Sequence, residues 1–255
     1  GPQSRLTRPQ ASLTRRRLHG TIYICEGDEY NNNFLNYHPD IAVILNTAWD
    51  HPDFFKTEGD LQDSYIKFIN NIKPNGYLIT TDKVIKSVGK SIRIDIKIVK
   101  IVAFGELSLS IIGNFRKQNA ASALTVAKIL GVDPNLATKS VENFKGMGRR
   151  LEYKGSIRDV KFYDDYAVQP YTVLATSNAL KEKFKNKKLL LVFEPHTFSR
   201  INTFFNDFVK SLRQTKVDQI LITELYPARE KGDRSVLAQR LANAVKSKAI
   251  FTGSI

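Results

Sequence analysis

Short runs of apolar, β-branched residues alternate with segments of helical spacing in the first half of the chain. The apolar runs predict strands over residues 21–25, 41–45 and 77–80. Between the last two runs, apolar side chains recur every three or four positions and predict a helix over residues 61–72. Isoleucines at alternate positions within residues 91–112 are typical of a β-hairpin or a meander. A mixture of strands and helices is therefore expected.

Helix signals follow, and then a break in the pattern. An alanine-rich stretch predicts a helix over residues 119–130, and Gly131 stands where a left-handed residue ends a helix. Asp133 and Pro134 suit the cap and the first turn of another helix. The two glycines of Gly146–Gly148 then separate this helix from a new β pattern, and we predict a domain boundary there. The expected domains are residues 18–148 and residues 149–255.

Strands and helices alternate regularly after this boundary. Repeated strand-then-helix units predict an α/β fold with a mostly parallel, doubly wound, Rossmann-like sheet. The predicted strands are residues 160–163, 189–193, 219–223 and 250–252, and the predicted helices are residues 170–184, 202–212 and 236–246.

The charge of the chain is uneven. Five arginines and no acidic residue fall within residues 1–17, a segment without apolar periodicity. We interpret this segment as a flexible or foreign basic extension, since Gly1–Pro2 is what a protease typically leaves after a tag is removed. The rest of the +14 net charge is spread over lysine-rich helices, without a basic stripe interleaved with aromatic residues. Solvated lysine faces are therefore favoured over a nucleic-acid groove, although binding through the arginine arm stays open.

Composition narrows the class of protein further. The 42% hydrophobic and 25% charged content is that of a soluble globular protein. The sequence contains neither an apolar run long enough to span a membrane nor a leader with a cleavage site. The single Cys25 can form neither an internal disulfide nor a zinc site, so a cytoplasmic protein without a membrane partner is expected.

Acidic residues and a histidine follow the first two predicted strands. Glu26 and Glu29 come directly after the first strand, and Asn46, Asp50 and His51 follow the second. Oxygen ligands and an imidazole at adjacent strand ends suit Mg²⁺ near a phosphate group. The alternative is a solvated acidic turn beside an ordinary Asp-His loop.

Similar clusters follow the later strands. Asp164 and Asp165 end one strand and can hold a cation or an amine, or one of them simply caps the next helix. His196 and Arg200 follow another strand and can bind a carboxylate or phosphate, unless they belong to a surface loop capped by Ser199. The loop at residues 224–230 contains an Arg-Glu pair that suits either a site or the surface.

Several common catalytic motifs are absent from these 255 residues. The sequence holds no Gly-x-x-x-x-Gly-Lys-Ser/Thr phosphate loop and no Gly-x-Gly-x-x-Gly after a strand. It also shows no legible Ser-His-Asp or Cys-His arrangement. His19 and His38 have no partners in sequence and are interpreted as surface histidines.

Taken in order, these motifs resemble those of the Mur ligases, the ATP-dependent enzymes that add amino acids to the peptidoglycan precursor. The resemblance covers the chain from about residue 20 to its end. Within the family it is greatest to the members that join L-alanine or a peptide to UDP-N-acetylmuramate. The matching segments are Glu26–Glu29, Asn46–His51, Gly146–Arg150, Asp164–Tyr166, Phe193–Arg200 and Leu225–Glu230.

The resemblance implies a partial central ATPase domain followed by a truncated Rossmann-like C-terminal domain. It implies that MgATP phosphorylates a substrate carboxylate to an acyl phosphate, which the amine of an amino acid or peptide then attacks. The residues that it implies are Glu26 and His51 for Mg²⁺, Asn119, Arg150 and Tyr166 for the nucleotide, and Asp165, His196 and Arg200 for catalysis at the face that meets substrate.

The chain also departs from the family pattern. The uridine-nucleotide domain and the phosphate loop would precede residue 20, so the given chain is expected to be inactive by itself. Arg116 replaces an asparagine before the adenine helix, and Val168 and Gln169 replace the two histidines after Asp-Asp-Tyr. The alternative is therefore a non-catalytic module that keeps the ligase fold to bind a nucleotide, a wall precursor or a protein.

Overall fold

The computed structural model describes residues 21–102 and 106–254, so the predicted basic extension at residues 1–17 lies outside it. We call residues 21–145 the N-terminal half and residues 149–254 the C-terminal half. The N-terminal half contains a parallel sheet of three strands in the order β1-β2-β3. The strands are β1 (Ile41–Ile44), β2 (Tyr77–Thr80) and β3 (Lys97–Lys100), and the helices are α1 (Glu58–Asn70), α2 (Asp82–Val88), α3 (Arg116–Ile129) and α4 (Pro134–Glu142).

Side-chain caps explain where these helices begin. Thr57 and Asp60 form a capping box at the start of α1, in which each side chain accepts a hydrogen bond from the other residue's backbone N–H. Asp133 accepts hydrogen bonds from two backbone N–H groups at the start of α4, as the sequence predicts. Gly131 has a φ of +74°, which confirms the left-handed residue expected after α3.

Two predicted β segments of the N-terminal half are wrong. Residues 21–25 form no strand, and Tyr23 and Ile24 are each 89% exposed. In the described part of residues 91–112, the expected hairpin or meander is replaced by the strand Lys97–Lys100, which pairs with β2 in parallel. An alternating pattern indicates a pleated strand, but pairing depends on which backbone lies alongside it.

The C-terminal half contains an antiparallel pair and a separate parallel sheet of three strands in the order β6-β7-β8. The strands are β4 (Glu152–Ile157), β5 (Val160–Asp164), β6 (Leu190–Phe193), β7 (Gln219–Thr223) and β8 (Ala249–Gly253). The helices are α5 (Pro170–Lys183), α6 (Phe198–Thr203), α7 (Phe205–Gln214) and α8 (Arg234–Val245). This is the predicted α/β architecture with parallel sheets.

Two details of the C-terminal half differ from the prediction. The strand predicted at 160–163 pairs antiparallel with β4 and does not join the parallel sheet. The helix predicted over residues 202–212 is two helices, because Phe204 has a φ of −105° and a ψ of +24° that interrupt the helical path. Arg200 lies in α6, before this break, and contacts Asp50 of the N-terminal half.

Each half has its own hydrophobic core. In the N-terminal half, Ile69, Ile72 and Leu78 are fully buried between α1 and the sheet. In the C-terminal half, Phe208 and Ile220 belong to a larger cluster between β6-β7-β8 and the helices α7 and α8. Among the residues described here, no helix combines the length and the apolar character needed to cross a bilayer.

Candidate functional site

The carboxyl ends of β1, β6 and β7 come together between the two halves. The 46–55 segment follows β1 and is contacted by side chains from the regions after β6 and β7. Trp49 of this segment packs edge-on against Phe204, with ring centroids 5.2 Å apart. Open α/β sheets bind ligands at the carboxyl ends of their strands, so this meeting point is the candidate site.

Glu29, Asp50 and His51 place their ligand atoms within 4.8 Å of one another. His51 Nε2 lies 3.4 Å from Glu29 Oε1 and 3.9 Å from Asp50 Oδ2. Burial acts to lower the pKa of His51, but the hydrogen bond to Glu29 and the two negative charges raise it above its ordinary value. Two carboxylates and one imidazole form a donor set that fits Mg²⁺ or Mn²⁺.

Glu26, which the resemblance implies as a metal ligand, lies outside this cluster and is exposed. Glu29 contacts His51 in its place. Glu29 immediately precedes the 3-10 helix Tyr30–Asn36, and the buried Phe34 anchors that helix in the core. The structure therefore brings the last acid of the Glu26–Glu29 motif to the imidazole, and the first acid does not reach it.

Arg200 is only 4% exposed and connects the two halves. Its Nε and Nη2 donate hydrogen bonds to Asp50 Oδ1 at 3.0 and 2.7 Å. Its Nη1 donates to His196 Nδ1 at 2.8 Å. Because α6 begins at Phe198 after the cap Thr197, Arg200 lies in the first turn of this helix.

His196 lies between Arg200 and two tyrosines. An arginine can only donate hydrogen bonds, so Nδ1 must accept and the neutral imidazole carries its proton on Nε2. Nε2 lies 3.4 Å from the hydroxyl of Tyr166, and the ring stacks on Tyr226 with a centroid distance of 5.3 Å. Burial, followed by the positive charge of Arg200, lowers the pKa of His196 below its ordinary value, which favours the neutral ring.

The residues implied for the nucleotide lie around the N-terminal end of α3. Arg150 Nη1 donates to the backbone carbonyl of Tyr166 at 3.1 Å, and Arg116 Nη2 donates to the carbonyl of Arg150 at 2.8 Å. The guanidinium groups of Arg149 and Arg150 lie 4.9 and 5.6 Å from the centre of the Tyr166 ring. Asn119 is exposed one turn after Arg116, on the same side of α3. A cationic, aromatic surface results.

Asp165 is half-buried beneath this surface. Its Oδ1 accepts a hydrogen bond from the backbone N–H of Leu151 at 2.9 Å. Burial raises its pKa, while that hydrogen bond and the charges of Arg150 and Arg116 act in the opposite direction. Asp165 Oδ2, Arg116 Nε and Gln169 Nε2 are buried without a hydrogen-bond partner in the part of the chain that the structure describes. Unsatisfied buried polar atoms are rare and are often found at functional sites.

Arg229 makes a second connection between the halves. It pairs with Asp53 of the 46–55 segment. Its guanidinium lies 4.3 Å from the centre of the Tyr30 ring, and the hydroxyl of Tyr30 donates to Asp53 Oδ2 at 3.1 Å. This arrangement lies next to the metal-ligand cluster, since the rings of Tyr30 and His51 have centroids 4.9 Å apart.

Comparisons with known proteins agree with these motifs. Residues 149–254 match the family model for the Mur ligase, glutamate ligase domain. The UDP-N-acetylmuramate–L-alanine ligase of Alkaliphilus metalliredigens is 32% identical over 252 residues, which cover 88% of this chain and 54% of that protein.

The chain belongs to the Mur ligase family.

Solved structures show the same fold. UDP-N-acetylmuramate-alanine ligase MurC from Thermotoga maritima aligns with a TM-score of 0.65 at 19% identity, over 88% of this chain and 53% of that one. Folylpolyglutamate synthase from Mycobacterium tuberculosis, solved with ADP and AMPPCP, aligns with a TM-score of 0.65 at 16% identity, over 85% of this chain and 55% of that one. The chain spans about half the length of the curated relatives that it matches, 54% in the case quoted above.

Sequence analysis of this Mur ligase chain missed part of the site. Tyr30 and Asp53 carry no motif signal, and their role follows only from their contacts with Arg229. For Arg229, the sequence leaves a site and the surface equally open. One sequence feature could have indicated these contacts. Arg200 and Arg229 each follow a parallel strand, and the loops after parallel strands lie at the sheet edge where Asp50 and Asp53 also lie.

A cleft of about 620 Å³ opens between the two halves of the Mur ligase chain, beside Trp49. Its lining combines aromatic walls with residues of both charge signs. The lining includes Trp49, Glu58, Lys83, Gln169, Tyr171 and Lys210. Gln169 is 5% exposed at this lining.

Proposed function

We propose that this chain is the central and C-terminal part of an ATP-dependent amide ligase of peptidoglycan precursor synthesis. The carboxylate substrate would be a UDP-N-acetylmuramate-type compound and the amine L-alanine or a peptide. One observation supports the proposal most strongly. A continuous series of polar contacts runs from Glu29 through His51, Asp50, Arg200 and His196 to Tyr166, and it joins the two halves at the strand ends. The names of the relatives at 32% identity point to this reaction.

The roles proposed for MgATP and for the protein's side chains follow from the charges that form during the reaction. MgATP would supply the phosphoryl group that turns the substrate carboxylate into an acyl phosphate, with ADP as the leaving group. The amine then attacks the carbonyl carbon, its proton is lost and inorganic phosphate leaves. The transferring phosphoryl group and the tetrahedral intermediate are both anionic, so cationic side chains and a divalent ion must face them.

The metal ligands of this proposal are Glu29, Asp50 and His51. Their donor atoms lie close enough together to share one ion, and one imidazole with carboxylate oxygens suits Mg²⁺. Glu26 stays a prediction of the resemblance, since its exposed carboxylate lies outside this group.

The proposed nucleotide surface is formed by Asn119, Arg150 and Tyr166. Asn119 and Arg150 are exposed, and Tyr166 presents 36% of its surface, so a base or phosphate can reach them. The Nε of Arg116 lies at the same place and is buried without a partner among the described residues, so an acceptor bound there would satisfy it. Asp165 would face the substrate from beneath, and His196 would hold a proton on Nε2 toward the substrate side.

The given 255 residues are proposed not to turn over alone, because their sequence contains no phosphate-loop lysine. We therefore test the function in a chimera in which residues 21–254 replace the matching part of the A. metalliredigens ligase. We expect release of ADP that depends on both UDP-N-acetylmuramate and L-alanine. His51→Ala should abolish this release, and Arg158→Gln in the exposed β4–β5 turn should preserve it. A folded chimera without substrate-dependent ADP release would contradict the proposal.

A non-catalytic binding module is the second candidate. Gln169 favours it, because the family places a histidine there and the amide Nε2 is buried without a partner. Calorimetric titration of the 255-residue chain with MgATP and with the UDP-sugar tests which class of ligand the chain binds. Heat from either ligand supports a nucleotide or precursor site, whereas two silent titrations favour a protein partner.

A further inference from the structure

Two arginines of the C-terminal half contact one short segment of the N-terminal half. Arg200 follows β6 and pairs with Asp50, and Arg229 follows β7 and pairs with Asp53. Asp50 precedes His51 in the chain and Asp53 follows it by two positions, so the two arginine contacts hold the segment before and after His51.

The Asp50 contact orients a carboxylate. Arg200 donates two of its hydrogen bonds to Oδ1, from Nε at 3.0 Å and from Nη2 at 2.7 Å. The other oxygen, Oδ2, is left on the side of His51, 3.9 Å from Nε2. Because the side chain of Arg200 is 5% exposed and that of Asp50 is 19% exposed, water competes little for this pair. Arg200 is thus committed to Asp50 and His196 and is not open to substrate.

The Asp53 contact supports the cluster from the other side. Arg229 lies 4.3 Å from the centre of the Tyr30 ring, and Tyr30 donates to the same carboxylate that Arg229 pairs with. Tyr30 is the next residue after Glu29, and its ring also packs against His51 at 4.9 Å. Arg229 therefore acts on the backbone that carries one metal ligand and on the segment that carries the other two.

We propose that Arg200 and Arg229 are positioning residues that form a two-point clamp on residues 50–53, so that docking of the C-terminal half sets Glu29, Asp50 and His51 in the geometry that a divalent cation requires. The identity of that cation as Mg²⁺ rests on the proposed function. The clamp itself rests on the contacts between the halves.

Linkage gives the clamp a measurable consequence. If docking increases the affinity for the cation by some factor, the cation stabilises the docked arrangement by the same factor. Residues that orient metal ligands typically change metal affinity by about 10–100-fold when they are removed. Arg229 and Asp53 touch no ligand atom of the cluster, so an effect of that size from their removal has to act through position.

The test uses the 255-residue chain with Mn²⁺ alone as the probe. Mn²⁺ affinity is measured by electron paramagnetic resonance, and amide exchange is followed at Phe54 and Phe55, whose N–H groups donate to His51 O. We expect Arg200→Gln and Arg229→Gln each to weaken Mn²⁺ binding by about tenfold and to speed exchange at both amides. Asp53→Asn should mimic Arg229→Gln, with little added by the double change.

Two variants serve as controls. Arg158→Gln removes the same kind of charge from the exposed β4–β5 turn and should leave both readouts at the wild-type values. Arg229→Lys keeps the charge but loses the planar stacking on Tyr30, and it should fall between wild type and Arg229→Gln. Arg229 is largely exposed, so its variants test the clamp even if Arg200→Gln does not fold.

The outcomes separate the clamp from the proposed function. Unchanged Mn²⁺ affinity and unchanged exchange in both Arg229→Gln and Asp53→Asn would overturn the clamp. Wild-type protein that binds no Mn²⁺ would overturn the metal site of the proposed function, and faster exchange in the variants would then still support the clamp.

Discussion

Arg200 is the residue on which the largest number of site contacts depend. A guanidinium that is 4% exposed needs partners for its charge and its donors, and it finds them in Asp50 and His196. Removing one partner of a buried ion pair leaves an uncompensated charge, which costs about 3–5 kcal/mol. The same cation also keeps the neighbouring imidazole neutral, since a second positive charge beside it is unfavourable.

The first prediction concerns the titration of His196. Burial and the charge of Arg200 lower its pKa below 6.5, so its NMR signals should still report the neutral ring somewhat below that pH. Arg229→Gln removes a weaker cationic influence and should raise the pKa slightly, and Arg200→Gln should raise it more. His196→Gln assigns the signals. A pKa that stays the same in both arginine variants would contradict the assigned cause.

The lowered pKa of His196 determines how this residue changes the free energy of unfolding with pH. Between the lowered folded pKa and the unfolded value of 6.5, the unfolded chain binds more protons at His196 than the folded chain. The contribution of His196 is therefore fully present above pH 6.5 and is lost as the pH falls through the folded pKa. His51 acts in the opposite direction, because its folded pKa is raised.

At the level of elements, the sequence predicted the strands, helices and caps that depend on residues close together in the chain. The β6, β7 and β8 strands and the helices α5 and α8 were predicted because apolar runs and helical spacing recur there, whereas the break between α6 and α7 was not predicted. The position of the motif residues was predicted for the same reason. In a parallel sheet, the loop that follows each strand lies at the same edge of the sheet. The α4 cap at Asp133 depends on two neighbouring residues and was also predicted.

Features that depend on distant residues were not predicted. Residues 21–25 have strand composition, but none of the described strands pairs with them. The exchange of Glu26 for Glu29 depends on how the Tyr30–Asn36 helix packs through Phe34, which no local pattern shows. The contacts of Arg229 join residues 176 positions apart in the chain, so they appear only once both halves are folded.

The second prediction concerns the start of α1, directly after the 46–55 segment. Thr57 and Asp60 satisfy each other's backbone N–H groups, so Thr57→Ala should destabilise the N-terminal half by about 1 kcal/mol. Native-state amide exchange of α1 measures this loss. Thr57→Ser keeps the hydroxyl and should retain most of the stability. Equal losses in the two variants would contradict the capping role.

At the level of the whole molecule, two independently packed halves are held by a few directional contacts. Their cores are separate. The described contacts that join the halves include two ion pairs, the Arg116–Arg150 hydrogen bond, the Arg229–Tyr30 contact and the Trp49–Phe204 aromatic pair. Polar contacts of this kind between domains permit relative motion of the halves. The exposed Arg229–Asp53 pair is weakened by salt, while the buried Arg200–Asp50 pair is much less so.

The last prediction uses Trp49 as a reporter of docking. It is the single tryptophan of the sequence, it packs against Phe204 of the C-terminal half, and its Nε1 donates to Phe55 O at 3.0 Å. Separation of the halves exposes the indole to water and shifts its emission to longer wavelength. We expect this shift in the Arg200→Gln/Arg229→Gln double variant and not in Arg158→Gln. In wild type, raising the salt concentration should cause only a small shift, because the buried pair persists. Emission in the double variant that matches wild type at every salt concentration would show that other contacts hold the halves together.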